Sequence, residues 1–223
     1  MDSILSNIKI AVPEQIFVKD PESSALGKRI VENSILLIDD IGFDSFTFKK
    51  LGNIIGSNES SIYRYFESKH KLLLYLSSWY WAWVEYQLVI ETHNLSPNTK
   101  LEKAIEIVTR AIKEDSNFSH INEVVLNKIM VNENSKSFLT KEVDQENKDG
   151  YFVIYKRIVH RLRDMIIAIQ PNYKFPSSLA STIIEGSLHQ HFLKAHFKSI
   201  TDCGNNTTPT EFMKNLVLNT LKA

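Results

Sequence analysis

The spacing of apolar residues predicts four helices between residues 25 and 92. Leu26, Ile30, Leu37 and Ile41 recur near the helical period, after a capping Ser23 or Ser24 and before a stop at Gly42. A second helix is expected from an N-cap at Thr47 through Ile55, ended by Gly56, and a third over 58–65. A fourth, capped by Ser68, extends to about residue 92.

The same periodicity continues after Pro97 and favours an all-α fold. Helices are expected near 98–115, 119–133, 138–170, 177–198 and 209–222, and Gly150 is a possible break in the third of these. Residues 1–24 differ, since their short β-prone pieces are broken by prolines; we interpret them as an N-terminal arm. The arm would be followed by a helix-turn-helix domain at 25–70 and a larger helical domain at 71–223.

The stretch 47–66 has the features of a helix-turn-helix. Such a motif needs two short helices, a tight turn and a small residue where the backbones approach. Gly56 supplies the turn and Gly52 the small residue. The apolar positions expected to pack the pair onto the first helix are Leu51, Ile54, Ile55, Ile62 and Phe66.

The opposite face of this unit carries side chains suited to DNA. Candidates for reading base edges are Asn58, Ser60, Ser61, Tyr63 and Arg64, and candidates for phosphate contact are Thr47, Lys49, Tyr65 and Lys69. Between residues 45 and 75, five Lys or Arg face two acids, a local balance of +3 on a chain with zero formal net charge. The basic charge is therefore local, as DNA binding by a neutral protein requires.

Residues 27–73 resemble the N-terminal domain of the TetR family of bacterial transcriptional regulators. The resemblance is carried by the segment 47–56, by Ser-Ile-Tyr-Arg-Tyr-Phe at 61–66, by Ser68-Lys69 and by Leu72-Leu73. It implies that Thr47, Tyr63, Tyr65 and Lys69 hold phosphates, and that Ser60, Ser61 and Arg64 read bases or nearby phosphates. The chain departs from the family pattern at Gly52, where Ala is usual, at Ser60-Ser61, and at Glu59, which places an acid on the reading helix.

The resemblance also implies a fourth helix that links the DNA-binding head to an effector pocket. Trp79, Trp83 and Tyr86 share one face of that helix, so they are candidates for lining a cavity for an apolar or aromatic ligand. Core or dimer packing is the alternative, and aromatic stripes at helical spacing favour it.

The helices near 150–169 and 177–198 are candidates for a dimer interface. Gly186 and Ser187 permit close helix approach, and Ile183 lies on the same apolar stretch. The resemblance implies a four-helix dimer contact, which would suit a palindromic operator. Two core helices of a monomer would give the same periodicity.

Other classes of chemistry have no support in the sequence. Cys203 is the single cysteine, no His/Cys cluster has metal-ligand spacing, and no nucleophile motif occurs, so we expect no cofactor, no metal and no enzyme activity. No signal sequence or membrane span is apparent, which favours a cytoplasmic protein. We therefore expect a homodimeric, ligand-controlled regulator that binds double-stranded operator DNA. Repression is expected over activation, because it is the more frequent outcome in such proteins. The alternative is a TetR-like helical protein that binds a lipid or hydrophobic metabolite without binding DNA.

Overall fold

The computed structural model describes residues 10–112 and 120–222, and in these ranges the regular structure is entirely helical. The all-α prediction is therefore confirmed. The α-helices are α1 (Ala25–Ser45), α2 (Phe48–Ile55), α3 (Glu59–Tyr63), α4 (Lys69–Glu91), α5 (Pro97–Thr109), α6 (Glu123–Glu133), α7 (Val143–Lys148), α8 (Val153–Ile169), α9 (Pro176–His196) and α10 (Pro209–Lys222). Short 3₁₀ helices occupy Glu14–Ile16, Pro21–Ser23, Asn134–Ser137 and Lys198–Ile200. The predicted helix ends at 113–115 and 119, and the first nine residues of the arm, lie outside the described residues.

The helix starts around the helix-turn-helix follow the capping signals in the sequence. The side chains of Ser24, Thr47 and Asn58 accept hydrogen bonds from backbone N–H groups in the first turns of α1, α2 and α3. Asn58 is thus the cap of α3 and not its first residue. At Gly42 the backbone takes a φ of 74°, so α1 is interrupted where its end was predicted but resumes to Ser45.

The chain packs as two compact units. The first comprises residues 1–82 and 112–153, and the second comprises 83–111 and 154–223. Helix α4 contributes its first part to one unit and its last part to the other. These units are defined by packing, whereas the expected boundary at residue 70 concerns function and stays a prediction.

The core of the first unit surrounds α1. This helix packs against α6, α2 and the 3₁₀ segment Pro21–Ser23, and α2 packs against α3. The described part of the N-terminal arm belongs to this unit. Ile16 is fully buried, and the Val18 N–H donates to the Tyr65 carbonyl over 2.8 Å.

The second unit is built on α5, α9 and α10, which pack against one another. Its interior is aliphatic and includes Leu101, Ile105, Ile183, Ile184 and Val217, each 0% exposed. No helix in the described part of the chain combines the length and apolar character that crossing a membrane requires.

Candidate nucleic-acid interface

Helices α2 and α3 meet at a tight turn that depends on two glycines. Gly56 ends α2 in the left-handed region, with φ 61° and ψ 39°. A Cβ on Gly52 would lie 2.6 Å from the Ser57 carbonyl oxygen, so the backbones approach too closely for any side chain at that position. The Ser57 N–H donates to the Gly52 carbonyl over 2.9 Å and closes the turn.

The apolar face of the pair packs inward as expected, with one exception. Leu51, Ile55, Ile62 and Phe66 are all at most 4% exposed, whereas Ile54 is 54% exposed. Ile54 was expected in the core and lies instead on the outer surface of α2. The buried face of the helix is formed by Phe48, Leu51, Gly52 and Ile55, and Ile54 lies at the edge of that face, where it stays exposed.

The outer surface of the unit carries most of the candidate DNA-binding side chains. Within the described residues, the side chains of Arg64 and Lys49 make no hydrogen bond and no ion pair. Their charges are therefore available to a ligand, and the neighbouring polar groups face the same solvent. The exposed candidates are Thr47, Lys49, Asn58, Ser60, Tyr63 and Arg64, and Ser61 is half-buried.

The start of α3 is organised by one amide. The Oδ1 of Asn58 accepts from the Ser61 N–H over 2.8 Å, from the Ser61 hydroxyl over 2.6 Å and from the Ser60 hydroxyl over 2.9 Å. The Tyr63 ring packs edge-on against Phe48, with the ring centroids 5.0 Å apart. These contacts fix the positions of the hydroxyl oxygens, which keep lone pairs for donors on a bound molecule.

Tyr65 and Lys69 are engaged within the protein. Tyr65 is 4% exposed, and its hydroxyl lies 2.7 Å from that of Ser24. The Lys69 ammonium lies 3.0 Å from the carbonyl oxygens of Phe43 and Asp44 and 3.2 Å from that of Phe46. Lys69 therefore binds the backbone at the C-terminal end of α1, which fixes the position of the motif relative to the start of α4.

A second set of contacts on the same connection was missed by the sequence analysis. The Phe43 N–H donates to the Glu133 carboxylate over 3.1 Å, and Lys136 pairs with Asp44 at 2.7 Å. The hydrogen bond and charge of Lys136 hold the pKa of Asp44 below its ordinary value. Nothing in the local sequence identifies Glu133, because its partner lies ninety residues away.

The comparison with known families agrees with this geometry. Residues 30–76, which run from α1 into α4, match the model of bacterial regulatory proteins of the tetR family. These residues form a TetR-family N-terminal domain. The resemblance inferred from 27–73 is thereby confirmed, and the domain is a helix-turn-helix of the TetR type.

Solved structures extend the likeness to most of the chain. AibR in complex with isovaleryl coenzyme A and operator DNA is 16% identical, with a TM-score of 0.55 over 85% of this chain and 96% of that one. A putative transcriptional regulator from Saccharomonospora viridis in complex with choline is 15% identical, with a TM-score of 0.59 over 89% and 97%. The superantigen PfiT is 16% identical, with a TM-score of 0.58 over 90% and 97%. No significant match is found among curated protein sequences.

These likenesses establish a TetR-like fold. A protein described as a superantigen has the same fold, so the fold alone does not assign a function. The assignment of DNA binding to this protein depends on the residues of the motif itself.

The aromatic candidates of α4 are buried to different degrees. Trp79 and Trp83 are each 2% exposed, and Tyr86 is half-buried. Such burial is typical of core packing and equally of rings that line an enclosed site, so their role in ligand binding stays a prediction.

The dimer candidates on α9 lie toward the interior of the second unit. Ile183 is 0% exposed, and Ser187 is 2% exposed with its hydroxyl 3.4 Å from the Thr109 carbonyl. A Cβ on Gly186 would meet the Met213 side chain at 2.7 Å. All three residues therefore contact helices of their own chain, and a dimer contact through them stays a prediction.

Proposed function

We propose that this TetR-type protein is a non-enzymatic regulator that binds double-stranded operator DNA through α2 and α3. The observation that carries the proposal is the exposed face of the motif, where Lys49 and Arg64 have no partner among the described residues and polar hydroxyls surround them. A major groove accepts short polar side chains at its floor and cations at its edges. In the TetR family this mode of binding commonly represses transcription.

Two further elements of the proposal are dimerisation and ligand control. A two-fold dimer would present two motifs to a palindromic operator. Two solved structures of the same fold contain isovaleryl coenzyme A and choline, which supports a small effector for this protein as well. An effector would act by favouring one separation of the two motifs over another.

We place the dimer contact on the part of the α9 surface where side chains remain exposed. Thr182 and His189 are exposed there, and Glu185 between them is half-buried. The Tyr155 hydroxyl donates to Glu185 over 2.5 Å, which joins α8 to the same side of α9. A contact on this side requires no rearrangement of the core.

A protein that binds a lipid or hydrophobic metabolite without DNA is the second candidate. It would have no need for an exposed basic face on the motif, and an apolar or acidic α3 would be expected. Ser60 and Tyr63 on α3, and Arg64 immediately after it, are exposed and carry polar groups, so DNA binding is the better supported function.

Salt titration with matched lysine variants tests DNA binding. We expect affinity for a random duplex to fall steeply with salt, and Lys49→Ala to reduce the slope of log K against log salt by about 0.9 if one phosphate contact is lost. Lys69→Ala should in addition lower the free energy of unfolding by about 1–3 kcal/mol, because three backbone carbonyls lose their donor. Fluorescence anisotropy and urea denaturation measure the two effects.

The control is Lys174→Ala, which removes an exposed lysine of the second unit. It should leave both affinity and slope unchanged. Equal losses for Lys49→Ala and Lys174→Ala would show that DNA is attracted by general charge and not by the motif.

A further inference from the structure

The second unit contains a cleft that is lined by both apolar and basic side chains. It lies where α4 ends and α5 begins, alongside α8, and it encloses about 390 Å³. Leu95, Pro97, Met165 and Ala168 supply apolar surface, and Lys100 and Arg161 supply charge. A smaller cleft of about 160 Å³ shares Lys100, Arg161 and Met165 with it and also contains His93.

Arg161 is held in place by a carboxylate that it shares with a second arginine. Its Nε donates to Glu85 over 2.9 Å, and Arg157 donates to the same carboxylate over 2.6–3.1 Å. The Glu85 side chain is only 10% exposed. Burial raises the pKa of Glu85, but the two arginines outweigh it and keep that pKa below its ordinary value.

This arrangement leaves positive charge directed at the cleft. Two guanidinium groups face one carboxylate, and the terminal nitrogens of Arg161 have no acceptor among the described residues. Lys100 is half-buried and makes no ion pair within them. The acid that lines the cleft, Asp164, pairs with Arg163 at 2.7 Å, so its charge is already matched.

We propose that this cleft binds a small amphipathic anion, with a carboxylate or phosphate on Lys100 and Arg161 and a short apolar chain along Met165 and Leu95. A guanidinium with two free terminal nitrogens matches either oxyanion in a bidentate arrangement. The volume is near the lower end of the range for small-molecule sites, which favours a short chain. The further claim that this anion is the effector depends on the proposed function. The claim that the cleft binds the anion does not depend on it.

Calorimetric titration of the full chain with three probes tests the assignment. Octanoate has a negative charge and an apolar chain. Octanamide has the same chain without the charge, and inorganic phosphate has the charge without the chain. We expect octanoate to bind at least about tenfold more tightly than either of the others. Lys100→Gln and Arg161→Gln should each weaken octanoate binding about fivefold or more and leave octanamide binding unchanged.

Arg157→Gln is the matched control, because Arg157 shares the Glu85 carboxylate with Arg161 but does not line the cleft. It removes charge near the cleft but no residue that lines it, so it should weaken octanoate binding less than Arg161→Gln does. The proposal is overturned if octanoate does not bind, if octanamide or phosphate binds as tightly, or if Arg157→Gln weakens octanoate as much as Arg161→Gln. No DNA enters this experiment, so its failure is distinct from a failure of the proposed function.

Discussion

Replacement of Ile183 by Arg is expected to unfold the protein and not merely to separate its subunits. Ile183 is 0% exposed, on the helix that packs against α5 and α10. A guanidinium there would be buried without a carboxylate and would displace packed side chains, which costs more than about 4 kcal/mol. Because domains are stable by about 5–15 kcal/mol, a large part of the folded population would be lost. Urea denaturation followed by circular dichroism measures the effect.

The neighbouring variant Thr182→Arg is the matched control, since Thr182 is exposed on the same helix. It should remain folded and, if our placement of the dimer contact is correct, sediment as a monomer. A folded, monomeric Ile183→Arg protein would contradict the packing described here and would return Ile183 to the dimer interface.

Replacement of Gly52 by Ala is expected to destabilise the motif although alanine favours helices. The gain in helix propensity is about 1 kcal/mol. This gain is opposed by a steric clash, because the new Cβ would lie 2.6 Å from the Ser57 carbonyl oxygen. That oxygen is a backbone atom, and it moves only if the turn opens. Overpacking of this kind costs about 1–3 kcal/mol, so we expect a net loss in the free energy of unfolding and weaker DNA binding.

Asn53→Ala provides the comparison, because Asn53 is exposed on the same helix. It gains helix propensity without a clash and should stabilise the protein by a few tenths of a kcal/mol. If Gly52→Ala is stabilising to the same degree, the backbones of α2 and the turn are less closely packed than described.

The elements of the motif could be predicted because their signals are local. The caps at Ser24 and Thr47 and the left-handed Gly56 each act within three residues of the helix end they define. The pattern at 61–66 carried the family resemblance, which the match over 30–76 confirms. Helix identity and order therefore followed from the sequence.

The sequence was less informative about which way the apolar face of each helix points. Periodicity marks a face as apolar but does not tell which element covers it, so the sequence could not decide whether Ile183 and Ser187 face a partner subunit or helices of their own chain. The helical spacing groups Ile54 with Leu51 and Ile55 on one face, but it does not tell how far around the helix that face is covered. Such assignments depend on tertiary packing, which a one-dimensional pattern does not contain.

Long-range polar contacts were also beyond the sequence. Lys69 binds backbone carbonyls. Because every residue has a backbone carbonyl, no pattern of side chains in the sequence identifies which carbonyls Lys69 binds. The same holds for the Phe43 N–H bound by Glu133. The resemblance placed Lys69 among the phosphate contacts, and the structure adds a role in positioning the motif.

Binding of the wild-type protein to the DNA that flanks its own gene tests the central claim most directly. Anisotropy at about 0.15 M salt would compare that duplex with a shuffled duplex of the same composition. We predict binding to a site in the flanking DNA at least about 10³-fold tighter than to the shuffled duplex, with both affinities falling as salt rises. Absence of binding to either duplex at low salt, or an affinity that does not change with salt, would contradict the account.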